Sequence, residues 1–187
     1  PSAPGQVLAG LGDTDGDGRA ELVLRQADGA WSLRRMDGAE AAGGWLDPGW
    51  AIAAVADLDG DARADLLLRH GGTGEVYAWL LDGTTIRGNG SLGSPGTGWS
   101  IAATADLSGD GRADILWRNA TGGLWGWITG ADGHTVAAQG WIGAEGGGWQ
   151  LAKAADYSGD GKADLVFTDA AHGYAWMWRM DGLSILE

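Results

Sequence analysis

Four stretches of this chain set oxygen-bearing side chains at alternate positions: Asp13-Thr-Asp-Gly-Asp-Gly-Arg-Ala-Glu21, Asp57-Leu-Asp-Gly-Asp-Ala-Arg-Ala-Asp65, Asp106-Leu-Ser-Gly-Asp-Gly-Arg-Ala-Asp114 and Asp156-Tyr-Ser-Gly-Asp-Gly-Lys-Ala-Asp164. Positions one, three and five carry Asp or Ser, position seven is basic, and position nine is Asp or Glu. A hard cation that takes six to eight oxygen ligands at roughly 2.3–2.6 Å is served by such spacing, since alternate side chains turn inward. The glycines between them permit the tight curvature. Calcium is the expected ion, up to four in all. The expected ligands in the first loop are the side chains of Asp13, Asp15, Asp17 and Glu21 with the main-chain carbonyl of Arg19. The second uses Asp57, Asp59, Asp61, Asp65 and the Arg63 carbonyl. The third uses Asp106, Ser108, Asp110, Asp114 and the Arg112 carbonyl, and the fourth Asp156, Ser158, Asp160, Asp164 and the Lys162 carbonyl.

An EF-hand opens in the same way but needs a Glu at the twelfth loop position and a helix on each side. Here the twelfth residues are Leu24, Leu68, Trp117 and Phe167, all inside apolar runs. A strand-loop-strand cation site is the remaining arrangement. The loop positions hold 14 of the 25 acidic residues, and four divalent ions would move the formal charge from −13 to −5. Without a cation the converging carboxylates repel one another. Three substitutions weaken the pattern locally: Ser108 and Ser158 replace an anionic ligand, and Ala62 replaces a turn glycine.

The loops must be positioned by something that also repeats. Their first residues, Asp13, Asp57, Asp106 and Asp156, lie 44, 49 and 50 positions apart, a period that signals a propeller or a solenoid. Upstream stand Ala-rich segments such as Trp50-Ala-Ile-Ala-Ala-Val-Ala56, expected as first strands crowded near an axis. Downstream come Leu22-Val-Leu24, Leu66-Leu-Leu68, Ile115-Leu-Trp117 and Leu165-Val-Phe167, short apolar runs expected as strands buried on both faces. A third strand carries Tyr77 and Trp79, Trp125 and Trp127, or Trp176 and Trp178 on one face and ends at an Asp-Gly turn beginning at Asp37, Asp82, Asp132 or Asp181. A fourth strand, such as Thr84–Arg87, His134–Ala137 or the short Leu183–Leu186, completes each unit. The expectation is all-β: about sixteen short strands and no helix, in four tandem four-stranded β-propeller blades within a single domain, residues 1–187. The repeats span approximately 5–48, 49–97, 98–147 and 148–187.

Composition narrows the function. With 25 acidic residues against 12 basic ones the chain repels a phosphate backbone, so nucleic acid is excluded as a partner. No apolar run approaches the roughly 20 residues that span a bilayer, so membrane insertion is not expected. Cysteine is absent, which removes disulfides, thiolate catalysis and zinc-thiolate sites. The opening at Pro1 reads as a processed protein or an excised domain. An enzyme is not expected: His70, His134 and His172 fall at unrelated places, no Gly-x-Ser-x-Gly elbow occurs, and most acids are committed to the loops.

Of the 12 Trp, Trp50, Trp99 and Trp149 recur in register and read as packing residues. Trp45 and Trp141 are less regular, lie in Gly-rich segments near strand ends, and are the candidates for exposed ligand platforms. Arg25, Arg69 and Arg118 recur after the second strand, where an ion pair with a nearby turn Asp is expected.

The D-x-[DS]-G-D-[GA]-[RK]-A-[DE] loop followed by an apolar strand resembles the FG-GAP/VCBS repeat family, whose repeats also build the propeller head of integrin α subunits. The resemblance extends over nearly the whole chain. It implies calcium-binding blades in a secreted or cell-surface protein that serves adhesion, ligand binding or as an accessory module beside an enzyme. The expected function is therefore a non-enzymatic, calcium-stabilised adhesion or scaffolding module. Its expected partners are a protein or glycan at the cell surface or matrix, or further copies of itself; the alternatives are a lectin-like propeller and an accessory domain of a secreted enzyme. Integrin-like propellers have seven blades and this chain encodes four, which leaves a four-bladed ring, part of a larger propeller, or an assembly of chains.

Overall fold

The computed structural model describes residues 5–146 and 148–186. Every regular element in it is a β-strand. The first repeat forms β1 (Gln6–Gly12), β2 (Glu21–Gln26), β3 (Ala30–Arg34) and β4 (Glu40–Trp45); the second forms β5 (Trp50–Ala56), β6 (Asp65–His70), β7 (Val76–Asp82) and β8 (Thr85–Gly93). The third contributes β9 (Trp99–Ala105), β10 (Asp114–Asn119), β11 (Gly123–Thr129) and β12 (Val136–Ala144). The fourth contributes β13 (Gln150–Ala155), β14 (Asp164–Asp169), β15 (Tyr174–Trp178), β16 (Met180–Asp181) and β17 (Ser184–Ile185). Three repeats are antiparallel four-stranded meanders in chain order, the blade arrangement of a β-propeller. In the fourth, the expected third strand is interrupted at Arg179, which gives a three-stranded sheet and a two-stranded hairpin and raises the strand count to seventeen. Among the described residues no helix is long and apolar enough to cross a membrane.

The chain divides into two compact units, residues 1–97 and 98–187, each holding two blades. In the first unit Val23, Trp31, Leu33, Leu66, Leu68 and Leu81 form the core, with Trp50, Tyr77 and Trp79 packed against it. In the second, Leu116, Leu124, Leu165, Phe167, Trp178 and Met180 do the same, with Trp149 at its margin. Ring pairs wedge these cores: Trp31 lies 6.2 Å from Trp79, and Phe167 sits edge-on to Trp178 at 4.9 Å. The second-strand runs behave as their unbroken apolar character predicts, with Leu66, Leu67, Leu68, Ile115, Leu116 and Trp117 all buried. Trp176 departs from the expected wedge and is exposed, on a strand whose sheet has no fourth member.

The first strands differ from expectation. Ala51 and Ala53 are exposed, so these small side chains do not fill a crowded centre. Close approach to the neighbouring blade within the first unit comes instead from glycines of β1: a Cβ on Gly10 would lie 2.4 Å from Val55, and one on Gly12 2.3 Å from the Ala64 methyl. Each first strand also carries a register shift at the same place, around Ala9, Ala53, Ala102 and Ala152, where an extra residue bends the strand. The fourth strands run further than expected, over Thr85–Gly93 and Val136–Ala144, so Trp141 lies inside β12, whereas Trp45 ends β4.

Among the described residues, Arg25 and Arg118 reach main-chain carbonyls where ion pairs with turn aspartates were expected. Arg25 donates to the main-chain carbonyl of Trp50 at 2.6 Å, and Arg118 to that of Trp149 at 2.6 Å and to Gln150 Oε1 at 3.0 Å. Arg69 reaches the Gly96 carbonyl at 3.1 Å. A guanidinium holds five donors and no acceptor, so a carbonyl left free where one repeat hands over to the next is a good partner. Arg25 and Arg118 thus tie each second strand to the start of the following blade within their units. The fourth repeat has Thr168 at this place.

Candidate metal centre

Each acidic loop links a first strand to a second strand and is shaped by its own carboxylates. The position-one aspartate accepts main-chain N–H groups from the loop that curls over it: Asp13 takes Gly16 and Gly18, each at 2.7 Å, and Asp17 at 3.2 Å. Asp57 takes Gly60 at 2.7 Å and Ala62 at 2.8 Å. Asp106 and Asp156 repeat the pattern with Gly109 and Gly111, and with Gly159 and Gly161. Desolvation pushes the Asp13 carboxyl up, but the amides of Gly18, Gly16 and Asp17 together outweigh it and hold the group below its ordinary value. The Gly161 amide leads in depressing Asp156. The position-five aspartate caps the residue two places on, as in Asp17 to Arg19 N at 2.9 Å and Asp61 to Arg63 N at 2.9 Å.

In the first two loops this curling brings three carboxylates together. Asp13, Asp15 and Asp17 present oxygens within 4.8 Å of one another, and Asp57, Asp59 and Asp61 do the same. Such an all-oxygen, anionic donor set fits a hard divalent ion and fits poorly the softer metals that prefer nitrogen or sulfur. In the third and fourth loops Ser108 and Ser158 stand at position three, so two carboxylates and a hydroxyl occupy the corresponding places. The Ser108 hydroxyl lies 3.4 Å from Asp106 Oδ1.

The position-nine acids stand in a different environment. Glu21, Asp65, Asp114 and Asp164 are at most 2% exposed. Glu21 Oε2 accepts from the Thr14 amide and hydroxyl, each at 2.9 Å. Asp65 bridges Leu58 N at 2.8 Å and Leu81 N at 2.9 Å; Asp114 bridges Leu107 N and Thr129 N; Asp164 bridges Tyr157 N and Met180 N. In the last three loops one carboxylate therefore links the loop's opening to the end of the third strand. Burial pushes Asp65 up to about 7 against these hydrogen bonds, with the charges of Asp59 and Asp57 adding to the effect. Burial likewise raises Asp114 to about 6. A cation nearby would favour the ionised form of both.

Neighbouring loops within a unit are tied directly. Ala64 N donates to the Asp13 carbonyl at 2.6 Å, and Ala163 N to the Asp106 carbonyl at 2.7 Å. Two further basic residues, absent from the loop pattern, reach the loops from elsewhere in the first unit. Arg35, just after β3, pairs with Asp15. Arg87, on β8, pairs with Asp61 at 2.6 Å and Asp59 at 3.4 Å. Arg87 does not recur in register, and Arg35 has one counterpart, Arg179 in the Arg-Met-Asp-Gly of the fourth repeat, a signal too sparse to single it out.

The two tryptophans expected as platforms are separate, one in each unit, and are 57% and 53% exposed for Trp45 and Trp141. Each lies against a glycine at the start of the third strand: a Cβ at Gly29, just before β3, would sit 2.9 Å from Trp45 Nε1, and one at Gly123, which opens β11, 2.6 Å from the Trp141 ring. Trp45 Nε1 also donates to the Asp28 carbonyl at 2.6 Å.

Serial meander blades, each opening on an acidic strand-loop-strand turn, define an acidic-loop repeat protein of the propeller class. The chain belongs to the FG-GAP-like repeat family, whose pattern matches residues 13–68, 57–117 and 106–167. No curated protein matches it. Among solved structures, a chain of the Photorhabdus luminescens Tc holotoxin pore is similar over 100% of this chain with a TM-score of 0.60 and 17% identity. The V. cholerae biofilm matrix protein Bap1 is similar over 94% of this chain at 18% identity and a TM-score of 0.37. The chain spans 9% of the toxin chain and 30% of the matrix protein.

Proposed function

We propose that this chain is a non-enzymatic, calcium-stabilised binding module that works outside the cell or at its surface, in adhesion or scaffolding. The observation that carries the calcium reading is the convergence of Asp13, Asp15 and Asp17, and of Asp57, Asp59 and Asp61, in loops that join the first two strands of a blade. When bound, the ion neutralises carboxylates that otherwise repel and fixes the bend between the strands. The chain's own residues prepare that place: position-one aspartates set the curl, Glu21 holds Thr14 within the first loop, and Asp65, Asp114 and Asp164 tie their loops to Leu81, Thr129 and Met180. Filling of the third and fourth loops, where Ser108 and Ser158 stand, is weaker on this reading. Extracellular modules bind calcium with dissociation constants of about 10⁻⁴–10⁻³ M, so at about 1 mM calcium each site adds about 0.4–1.4 kcal/mol of stability. Calorimetric titration of the chelated protein tests this: two or more calcium ions per chain are expected, and an absence of binding at millimolar calcium contradicts it.

A second reading, glycan binding, is favoured by the exposed Trp45 and Trp141 rings, each packed beside a glycine. Aromatic faces of this kind suit the apolar face of a sugar. A glycan array that lights up for the native protein and goes dark for Trp45→Ala or Trp141→Ala, with unchanged melting, supports this reading; a blank array removes it.

A further inference from the structure

The first two loops carry four acids each, and each of them receives a guanidinium from outside the loop. Arg35 contacts Asp15, the position-three carboxylate of the first loop. Arg87 contacts Asp59 and Asp61, positions three and five of the second, and is held in place by donating Nε to the Leu81 carbonyl at 2.9 Å. The basic residues at position seven are engaged too: Arg63 pairs with Asp61 of its own loop at 3.3 Å, Arg112 turns onto Asp110 of its own loop, and Lys162 pairs with Asp181 of the hairpin.

We infer that Arg35 and Arg87 are resident competitors of the divalent ion: each pairs with ligand carboxylates of its loop and must release them before those oxygens can face a metal. The inference rests on the calcium reading above and deepens it. A guanidinium proton and a cation seek the same carboxylate lone pairs, so contacts to positions three and five oppose metal entry directly. They also cancel part of the repulsion among the gathered acids, which keeps the loops closed without metal. The consequence is a leveling of affinity: the loops richest in carboxylate bind less tightly than their charge implies, and are less dependent on the ion for their shape.

Calcium titration by calorimetry and thermal melting in excess chelator, on the full chain, test this with Arg35→Gln, Arg87→Gln and Arg87→Lys. Each Gln variant is expected to tighten one site by roughly two- to tenfold, the scale of one or two partly exposed ion pairs, and to lower the chelated melting temperature. Arg87→Lys, which keeps the charge, is expected to stay near the native values on both measures. Arg35 is half exposed, so its variant gives a folded protein with which to judge the result. Calcium affinity that is unchanged or weaker in both Gln variants, while the native chain binds normally, overturns the inference alone. A native chain that takes up no calcium overturns the calcium reading, and this inference with it.

Discussion

Ala62 is the single non-glycine residue among those described with a positive φ, 67°, and it stands where the other three loops have Gly18, Gly111 and Gly161. Its amide still donates to Asp57 at 2.8 Å, so the loop keeps its hydrogen bond and bears the strain of a left-handed L-residue. Ala62→Gly is therefore expected to stabilise the protein by about 1 kcal/mol, net of glycine's greater freedom in the unfolded chain, as read from denaturant melts. The buried acids predict a pH dependence. Asp65 and Asp114 have folded pKa values of about 7 and about 6, above the ordinary carboxylate value, so the folded state binds protons more tightly. The metal-free protein should accordingly melt higher as pH falls from about 8 to about 5, and saturating calcium, which favours the ionised carboxylates, should flatten or reverse that trend. A chelated protein whose melting temperature drops steadily over that interval contradicts the assignment.

At the scale of the strand and loop, the clasps of Arg25 and Arg118 connect a second strand to the opening of the next blade through a carbonyl. Arg118→Ala removes hydrogen bonds from a charged donor and leaves the Trp149 carbonyl without that partner, and should cost about 1.5–3 kcal/mol in chemical denaturation. Much of this level was legible in the amino-acid order. The unbroken apolar runs after each loop announced strands covered on both faces, and the Asp-Gly pairs announced hairpins, with Gly38, Gly83, Gly133 and Gly182 all at positive φ. What could not be read was direction in space. Arg25 recurs in register, but nothing in its spacing says whether it turns to an aspartate or to a carbonyl of the next blade. The position-nine acids were visible as part of the loop, yet their second partners, Leu81, Thr129 and Met180, lie fifteen or more residues away and come into reach only through strand pairing. Arg35 and Arg87 lie outside the loops, and although Arg35 recurs as Arg179, spacing does not say that either reaches a loop carboxylate.

At the scale of the whole molecule, the chain has a formal charge of −13 and places 14 of its 25 acids in four loops, where like charges repel unless neutralised. The core in each unit is modest and interlocked by aromatic pairs, and the loops at the blade openings set how first and second strands meet. Divalent ions in these loops would then contribute stability comparable to a sizeable share of the 5–15 kcal/mol typical of a domain. The most direct measurement is the melting temperature in excess EDTA against millimolar CaCl₂, with bound metal counted by native mass spectrometry. A calcium-dependent rise in melting temperature with at least two ions retained per chain is the predicted result; identical melting in both buffers and a metal-free mass would contradict it.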